Sequence, residues 1–270
     1  MRTLVAALAC AVVLGGVRAA ATPVAYPIAQ HDGAAALPIA GTASALSIPE
    51  QISHRGSTTD VGVLGEVWRV PMTAREIALT FDDGPYPFYT PLLLHELERS
   101  RVVATFFIVG RSAQEFPELV EDIVADGDEI GNHTFNHYKL TKLSDADIQQ
   151  QIAEDAAVLE PYTGRPLTLF RPPHGRYDHG VVALAHAMGY NTIFWNDSPE
   201  DTKDVSPSLI VTRVLDQATP GGIVLLHNGQ YKTIEALPVI IDRLRARGYR
   251  FVTVSQMLED GGIPAVSATQ

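Results

Sequence analysis

The chain has 270 residues, 46% of them hydrophobic, which is enough apolar material for one sizeable core and, on length alone, for one or two domains. A formal net charge of −11 and a pI near 5.2 exclude a polyanion-binding surface, because phosphate contacts need clustered Lys and Arg; nucleic acid is therefore set aside as a partner. The single cysteine, Cys10, lies in an N-terminal apolar run, so the rest of the chain lacks the material for a disulfide, a thiol nucleophile or a cysteine-zinc site.

Residues 1–21 read as a secretory signal. Arg2 follows the start, an apolar run extends from Leu4 to Val17, and small residues close it. The run falls short of the roughly 20 apolar residues a membrane span needs and is ended by Arg18, which favours export over a retained anchor. Once the signal is cleaved no membrane span is expected, and the protein is expected to be secreted or held in the cell envelope. Residues 22–60 are rich in Ala, Pro, Ser, Thr and Gly without sustained periodicity and read as a linker or poorly ordered arm. Residues 61–260 read as one folded body and 261–270 as a tail.

Within the body, short apolar runs alternate with amphipathic segments. Strands are expected at Ile77 to Phe81, Ala104 to Val109, Asp128 to Gly131, Leu167 to Phe170, Asn191 to Trp195, Gly222 to Leu226 and Arg250 to Val254. Helices are expected near Pro91 to Arg99, over Ala113 to Ala125, from the N-cap Ser144 through Ile148, Ile152 and Leu159, over His179 to Met188, from Ser206-Pro207 onward, and through the stripe Leu237, Ile240, Ile241 and Leu244 up to Gly248. Seven strands alternating with helices point to a parallel α/β architecture. Periodicity leaves an open sheet and a closed barrel equally available.

The unusual polar clusters all fall just after strands, where parallel α/β folds gather their sites. The first is Thr80-Phe81-Asp82-Asp83-Gly84-Pro85. An extended backbone sends neighbouring side chains to opposite sides, so one aspartate can hold a metal while the other stays free as a base; the same letters also spell an ordinary strand and Asp-Gly turn. The second, His133-Thr134-Phe135-Asn136-His137, places two imidazoles four residues apart, where a helical turn would let them meet one ion, although surface histidines give the same pattern. With one aspartate they make a three-ligand site with a position left for water, the form of hydrolytic zinc. The third, Phe170-Arg171-Pro172-Pro173-His174-Gly175, holds an extended path that would aim Arg171 inward to grip a carboxylate, unless it is a rigid solvent loop. The last is Leu225-Leu226-His227 at the end of a buried-type strand.

In order and spacing these clusters resemble the polysaccharide deacetylase family, the NodB-homology or carbohydrate esterase family 4 enzymes, over roughly Glu76 to Leu258. The resemblance implies an α/β fold of the NodB-homology type, a distorted (β/α)7 barrel spanning residues 61–260. It implies Asp82 as general base, Asp83, His133 and His137 as ligands of a divalent metal (zinc first, cobalt or nickel as alternatives), and Arg171 as the residue holding the base. The backbone amide of His174 would be an oxyanion donor, Leu225 and Trp195 would line the pocket, His227 would be the general acid, and Asp201 would tune it. The segment Trp195-Asn196-Asp197-Ser198-Pro199-Glu200-Asp201-Thr202 departs from the family's Asp-x-x-Asp-Trp pattern, with Ser198 at the first aspartate and Thr202 at the tryptophan, which puts one pocket wall in question. The implied activity is metal-dependent hydrolysis of N-acetyl groups on a polysaccharide or oligosaccharide of amino sugars, chitin-type or peptidoglycan. O-acetyl hydrolysis on acetylxylan, or a carbohydrate-binding protein without activity, are the alternatives. Oligomeric state is not encoded in these motifs.

Overall fold

The computed structural model describes residues 60–266, all within one compact unit. The expected signal and almost all of the expected linker lie outside the described residues. Among the described residues eight parallel-paired strands occur: β1 Glu66–Val67, β2 Glu76–Asp82, β3 Thr105–Ile108, β4 Glu129–Asn132, β5 Leu169–Phe170, β6 Asn191–Ile193, β7 Gly222–His227 and β8 Arg250–Phe251. Between them run α1 Tyr89–Ser100, α2 Gly110–Glu115, α3 Pro117–Ala125, α4 Asp145–Thr163, α5 His179–Ala187, α6 Pro207–Gln217 and α7 Tyr231–Ala246, with α8 Val254–Asp260 after the last strand.

The sheet runs β1-β6-β5-β4-β3-β2-β7, with β8 paired to β2 off this path. It curls until its two ends meet, and the closure is slight: one parallel bridge from Asp197 to Val224 and one antiparallel bridge from Arg69 to Gly222. That is the distorted barrel expected from the resemblance, with seven strands in the main path.

Strand alternation sorts the core into two layers. Ile77, Leu79 and Phe81 of β2, Phe106 and Ile108 of β3, and Val224 and Leu226 of β7 pack outward against the stripes of α1, α3, α4 and α7. The opposite parity, Ala78, Phe107, Leu169, Ile193 and Ile223, points inward and meets Val254, Met257 and Leu258 of α8. Because α8 is tied to the first residues of β3 and β4, with the Val254 N–H on Thr105 Oγ1 at 3.0 Å and the Ser255 N–H on Glu129 Oε2 at 3.1 Å, the strand-start end of the barrel is filled. The inward residues at the opposite end remain available for chemistry.

Several expected elements are corrected. β1 was not anticipated: its two residues carry no period. The helix expected over Ala113 to Ala125 is two helices, broken at Phe116-Pro117 because proline has no N–H to continue the ladder and opens α3 instead. β5 and β6 are shorter than the apolar runs that contain them. Arg250 to Val254 pairs only at Arg250 and Phe251; Thr253 then caps α8, its Oγ1 accepting the Gln256 N–H at 3.3 Å. The Ser144 and Ser206 caps are present, accepting from Asp147 and Leu209.

Candidate active site

The inward parity of four strands carries the site. On β2 it runs Ala78, Thr80, Asp82; on β7, Ile223, Leu225, His227; continuing β4 and β5 by one residue gives His133 and Arg171. Asp82 and His227 are register partners on adjacent strands. Residues 145 positions apart in sequence thus stand side by side.

Arg171 is fully buried and spends its donors on the site. Its Nη1 donates to Asp82 Oδ1 at 2.6 Å and to Thr80 Oγ1 at 2.8 Å, its Nε to the Ile193 carbonyl and its Nη2 to the Phe194 carbonyl. The guanidinium lies 4.0 Å from the centroid of the Phe107 ring. Phe107 has room there because Gly131 on the neighbouring strand lacks a Cβ, which would sit 2.6 Å from the ring. The extended path expected of the two prolines ends at Pro172, since Pro173–Gly175 is a 3-10 turn with His174 at φ 59°; Arg171 nonetheless points inward as expected. Burial opposes ionisation of Asp82, but the Arg171 charge, followed by His133 and His227, holds its carboxyl below the usual range. Its second oxygen, Oδ2, faces His133 Nε2 at 3.8 Å.

Asp83, at φ 70°, turns away from the strand path and toward the histidines. His137 Nε2 stands 3.2 Å and His133 Nε2 3.8 Å from Asp83 Oδ1. The two histidines do not share a helical turn, as the spacing suggested; a bent loop with Thr134 and His137 at positive φ brings them together. His133 Nδ1 hydrogen-bonds the Arg171 carbonyl at 2.7 Å, which fixes the tautomer and turns a bare Nε2 toward Asp83. Burial lowers both imidazoles to about 4, aided at His137 by His174, so both are neutral at physiological pH. One ligand atom from each of Asp83, His133 and His137 lies within 4.8 Å of the others. A tetrahedral ion with bonds of 2.0–2.2 Å sets its ligands about 3.4 Å apart, so these residues fit a divalent metal.

Opposite stands His227. Its Nδ1 meets Asp201 Oδ1 at 2.8 Å, while Asp201 Oδ2 accepts the His227 N–H and the Thr233 hydroxyl. Burial works against its charge, yet the Asp201 hydrogen bond and carboxylate, with Asp82 and Asp83 behind them, raise the imidazole to about 9. Leu225 is buried beside it, its N–H on the Asp197 carbonyl at 2.8 Å. Trp195 is half-buried, with the Arg171 guanidinium 5.7 Å from its ring and Gly175 so close that a Cβ would fall 2.5 Å from the indole.

All ten residues expected from sequence therefore converge on one end of the barrel. Some participants went unread. Thr80 buttresses Arg171 and donates to the Val224 carbonyl; its place two residues before Asp82, on the same strand face, was the signal. Thr233 on α7 supports Asp201, and nothing in its surroundings marks it. The His174 ring lies 4.5 Å from that of His137, so more than its main chain faces the site. In the divergent segment Ser198 Oγ only accepts the Glu200 N–H and Thr202 is exposed, whereas Asp197 is fully buried.

Comparison with known proteins agrees with this geometry. The family model described as polysaccharide deacetylase matches residues 69–193. A peptidoglycan-N-acetylglucosamine deacetylase of Bacillus cereus is 41% identical over 196 residues, covering 71% of this chain and 92% of that protein. A chitooligosaccharide deacetylase of Azorhizobium caulinodans is 32% identical over 204 residues, 70% of this chain and 97% of its own. The crystal structure of the Bc1960 peptidoglycan N-acetylglucosamine deacetylase superposes with a TM-score of 0.68 at 34% identity, covering 70% of this chain and 91% of that one. On this sequence, fold and site, the chain belongs to the polysaccharide deacetylase family, hydrolases of carbohydrate esterase family 4.

Proposed function

We propose that the protein removes N-acetyl groups from an amino-sugar polymer of the peptidoglycan or chitin type, releasing acetate and a free amine. The observation that carries the reading is the opposed setting of two protonatable groups across one site. Arg171 keeps Asp82 ionised, and Asp201 keeps His227 protonated up to about pH 9. Environments that push two pKa values apart assign a base and an acid. Its relatives, which act on peptidoglycan N-acetylglucosamine and on chitooligosaccharides, support the same bond and substrate class.

In this reading Asp83, His133 and His137 hold a divalent ion, with zinc first and cobalt or nickel also acceptable to such donors. When bound, the ion would supply Lewis-acid polarisation of the acyl oxygen and acidify water in the site. The protein's own groups do the rest. Asp82 Oδ2, free because Arg171 engages Oδ1, takes the proton of the attacking water. The His174 N–H, presented by the turn after Pro172, steadies the developing oxyanion. Leu225 and Trp195 shape the space for the acetyl methyl. His227, whose Nδ1 is committed to Asp201, gives the proton on Nε2 to the departing amine. Residues 1–21 support a location outside the cytoplasm.

Against a binding-only role stands the complete set of acid, base and ligands. The test is acetate release by the chelator-treated and zinc-restored protein from chitooligosaccharides, peptidoglycan and acetylxylan in parallel. Zinc-dependent release from the first two is expected. Release from none of them, or from acetylxylan alone, would overturn the proposal.

A further inference from the structure

The loop carrying His133 and His137 does not hold its shape by itself. Thr134 and His137 sit at φ 65° and 57° without being glycine, a conformation that costs on the order of 1 kcal/mol or more each. Much of the backbone of the loop is met by acceptors on one face of α4, beside the Ile108 carbonyl of β3, which shares the His133 N–H at 3.1 Å, and Thr134 Oγ1, which accepts the His137 N–H at 3.2 Å. Asp155 is fully buried, and its Oδ2 accepts the His133 N–H at 3.0 Å. One turn earlier, Gln151 accepts twice: its carbonyl takes the Phe135 N–H at 3.0 Å and its Oε1 the Asn136 N–H at 2.8 Å. Asn132 bridges the two elements, donating from Nδ2 to the Ile152 carbonyl at 2.9 Å and accepting the Thr134 N–H on Oδ1 at 3.0 Å. The N–H groups of 134 to 136 thus end on α4 or on a side chain fastened to it, and that of His133 is shared between Asp155 and the Ile108 carbonyl of β3.

The approach is close by construction. At Gly110, whose N–H donates to the Thr134 carbonyl, a Cβ would fall 2.6 Å from Asp155 Oδ1 and 2.7 Å from the Phe135 ring. That Oδ1 is buried over the loop with no hydrogen bond of normal geometry. A carboxyl group in this place is a poor choice for helix packing, where Ile148, Ile152 and Leu159 do the apolar work. It is a good choice for an N–H-rich loop.

We propose that Asp155, assisted by Gln151, is a positioning residue that fixes loop 133–137 so that the Nε2 atoms of His133 and His137 converge on Asp83. The consequence for metal binding rests on the reading under Proposed function; the consequence for the loop does not. Asp155→Asn keeps the volume and can keep one oxygen on the His133 N–H, but its NH2 group then replaces the second oxygen beside the Gly110 and Thr134 N–H groups. Two measurements on the chelator-treated protein separate the claims: hydrogen–deuterium exchange of the 133–137 amides, and zinc affinity by titration calorimetry. Asp155→Asn should raise exchange in this segment at least about tenfold while the β2 and β7 amides keep their protection, and should weaken zinc binding about 10–100-fold, with kcat lowered and KM retained. Gln151→Ala should act in the same direction to a smaller degree, and it decides the matter where Asp155→Asn fails to fold. Wild-type exchange at 133–137, or a rise spread evenly over the protein, would overturn the proposal whatever zinc does. A wild-type protein that binds no zinc would instead remove the metal reading, and the exchange measurement would still decide the role of Asp155.

Discussion

Two adjacent aspartates reach different fates through their backbones. Asp82 is the last residue of β2 and keeps the inward parity, while Asp83 leaves the strand in the left-handed region and swings to the histidines. The base is then defined by what surrounds it. Replacing Arg171 with Met would strand the Asp82 carboxylate in the interior, and such an unpaired buried charge costs about 3–5 kcal/mol. Urea denaturation should show a loss of this size, and a loss below about 1 kcal/mol would mean that the pair is not what holds Asp82. On the acid side, a histidine raised to about 9 stays protonated well past neutrality, so kcat/KM should fall only as pH rises through about 9. In Asp201→Asn the burial that lowers the imidazole loses its main counterweight, and the alkaline limb should move to lower pH. A limb left in place would refute the Asp201 role. The same shift has a sign for stability: the folded pKa lies above the usual value near 6.5, so the pair contributes fully below about pH 6.5 and its contribution is lost as pH rises through about 9.

At the scale of elements, the site was legible where chemistry and strand parity coincided. β2 and β7 are buried on both faces and long enough to be read as runs, and their last inward residues are Asp82 and His227. What was hidden depended on pairing partners or on turns. Val252 and Val254 alternate with polar residues as a strand would, but the chain finds a partner only at Arg250 and Phe251, and Thr253 starts a helix. The His133–His137 spacing fits a helical turn equally well; the positive φ at Thr134 and the support from α4 are tertiary facts. The substituted segment hid its effect too, since besides Asp201 it buries a second acid, Asp197, one residue before Ser198. Gly131 shows how far element geometry reaches. A Cβ there would press on Phe107, and through it on Arg171 and Asp82. Gly131→Ala should therefore lower kcat by as much as about 10²-fold, as displacements near 1 Å do. Steady-state kinetics with an unchanged kcat would show that Phe107 yields without moving Arg171.

At the scale of the molecule, the barrel is filled at one end by α8 and carries the polar site at the other. Among the described residues, Asp83, His133 and His137 are the group able to hold a metal ion, and no helix is long and apolar enough to cross a membrane. A ligand from the residue after β2 and two from the loop after β4 couple metal binding to the folded state. Zinc at about 100 times its Kd should add about 2.7 kcal/mol, a rise in Tm of about 5–10 °C for a body of this size. A chelator should reverse it in differential scanning calorimetry, and a Tm indifferent to zinc would contradict an intact three-ligand site. The central claim is the division of labour between Asp82 and Asp83, and its most direct test pairs zinc titration with acetate release in Asp82→Asn. The account predicts zinc affinity close to wild type and a kcat lowered by about 10²–10⁴-fold. Deacetylation at the wild-type rate, or loss of zinc binding together with activity, would contradict it.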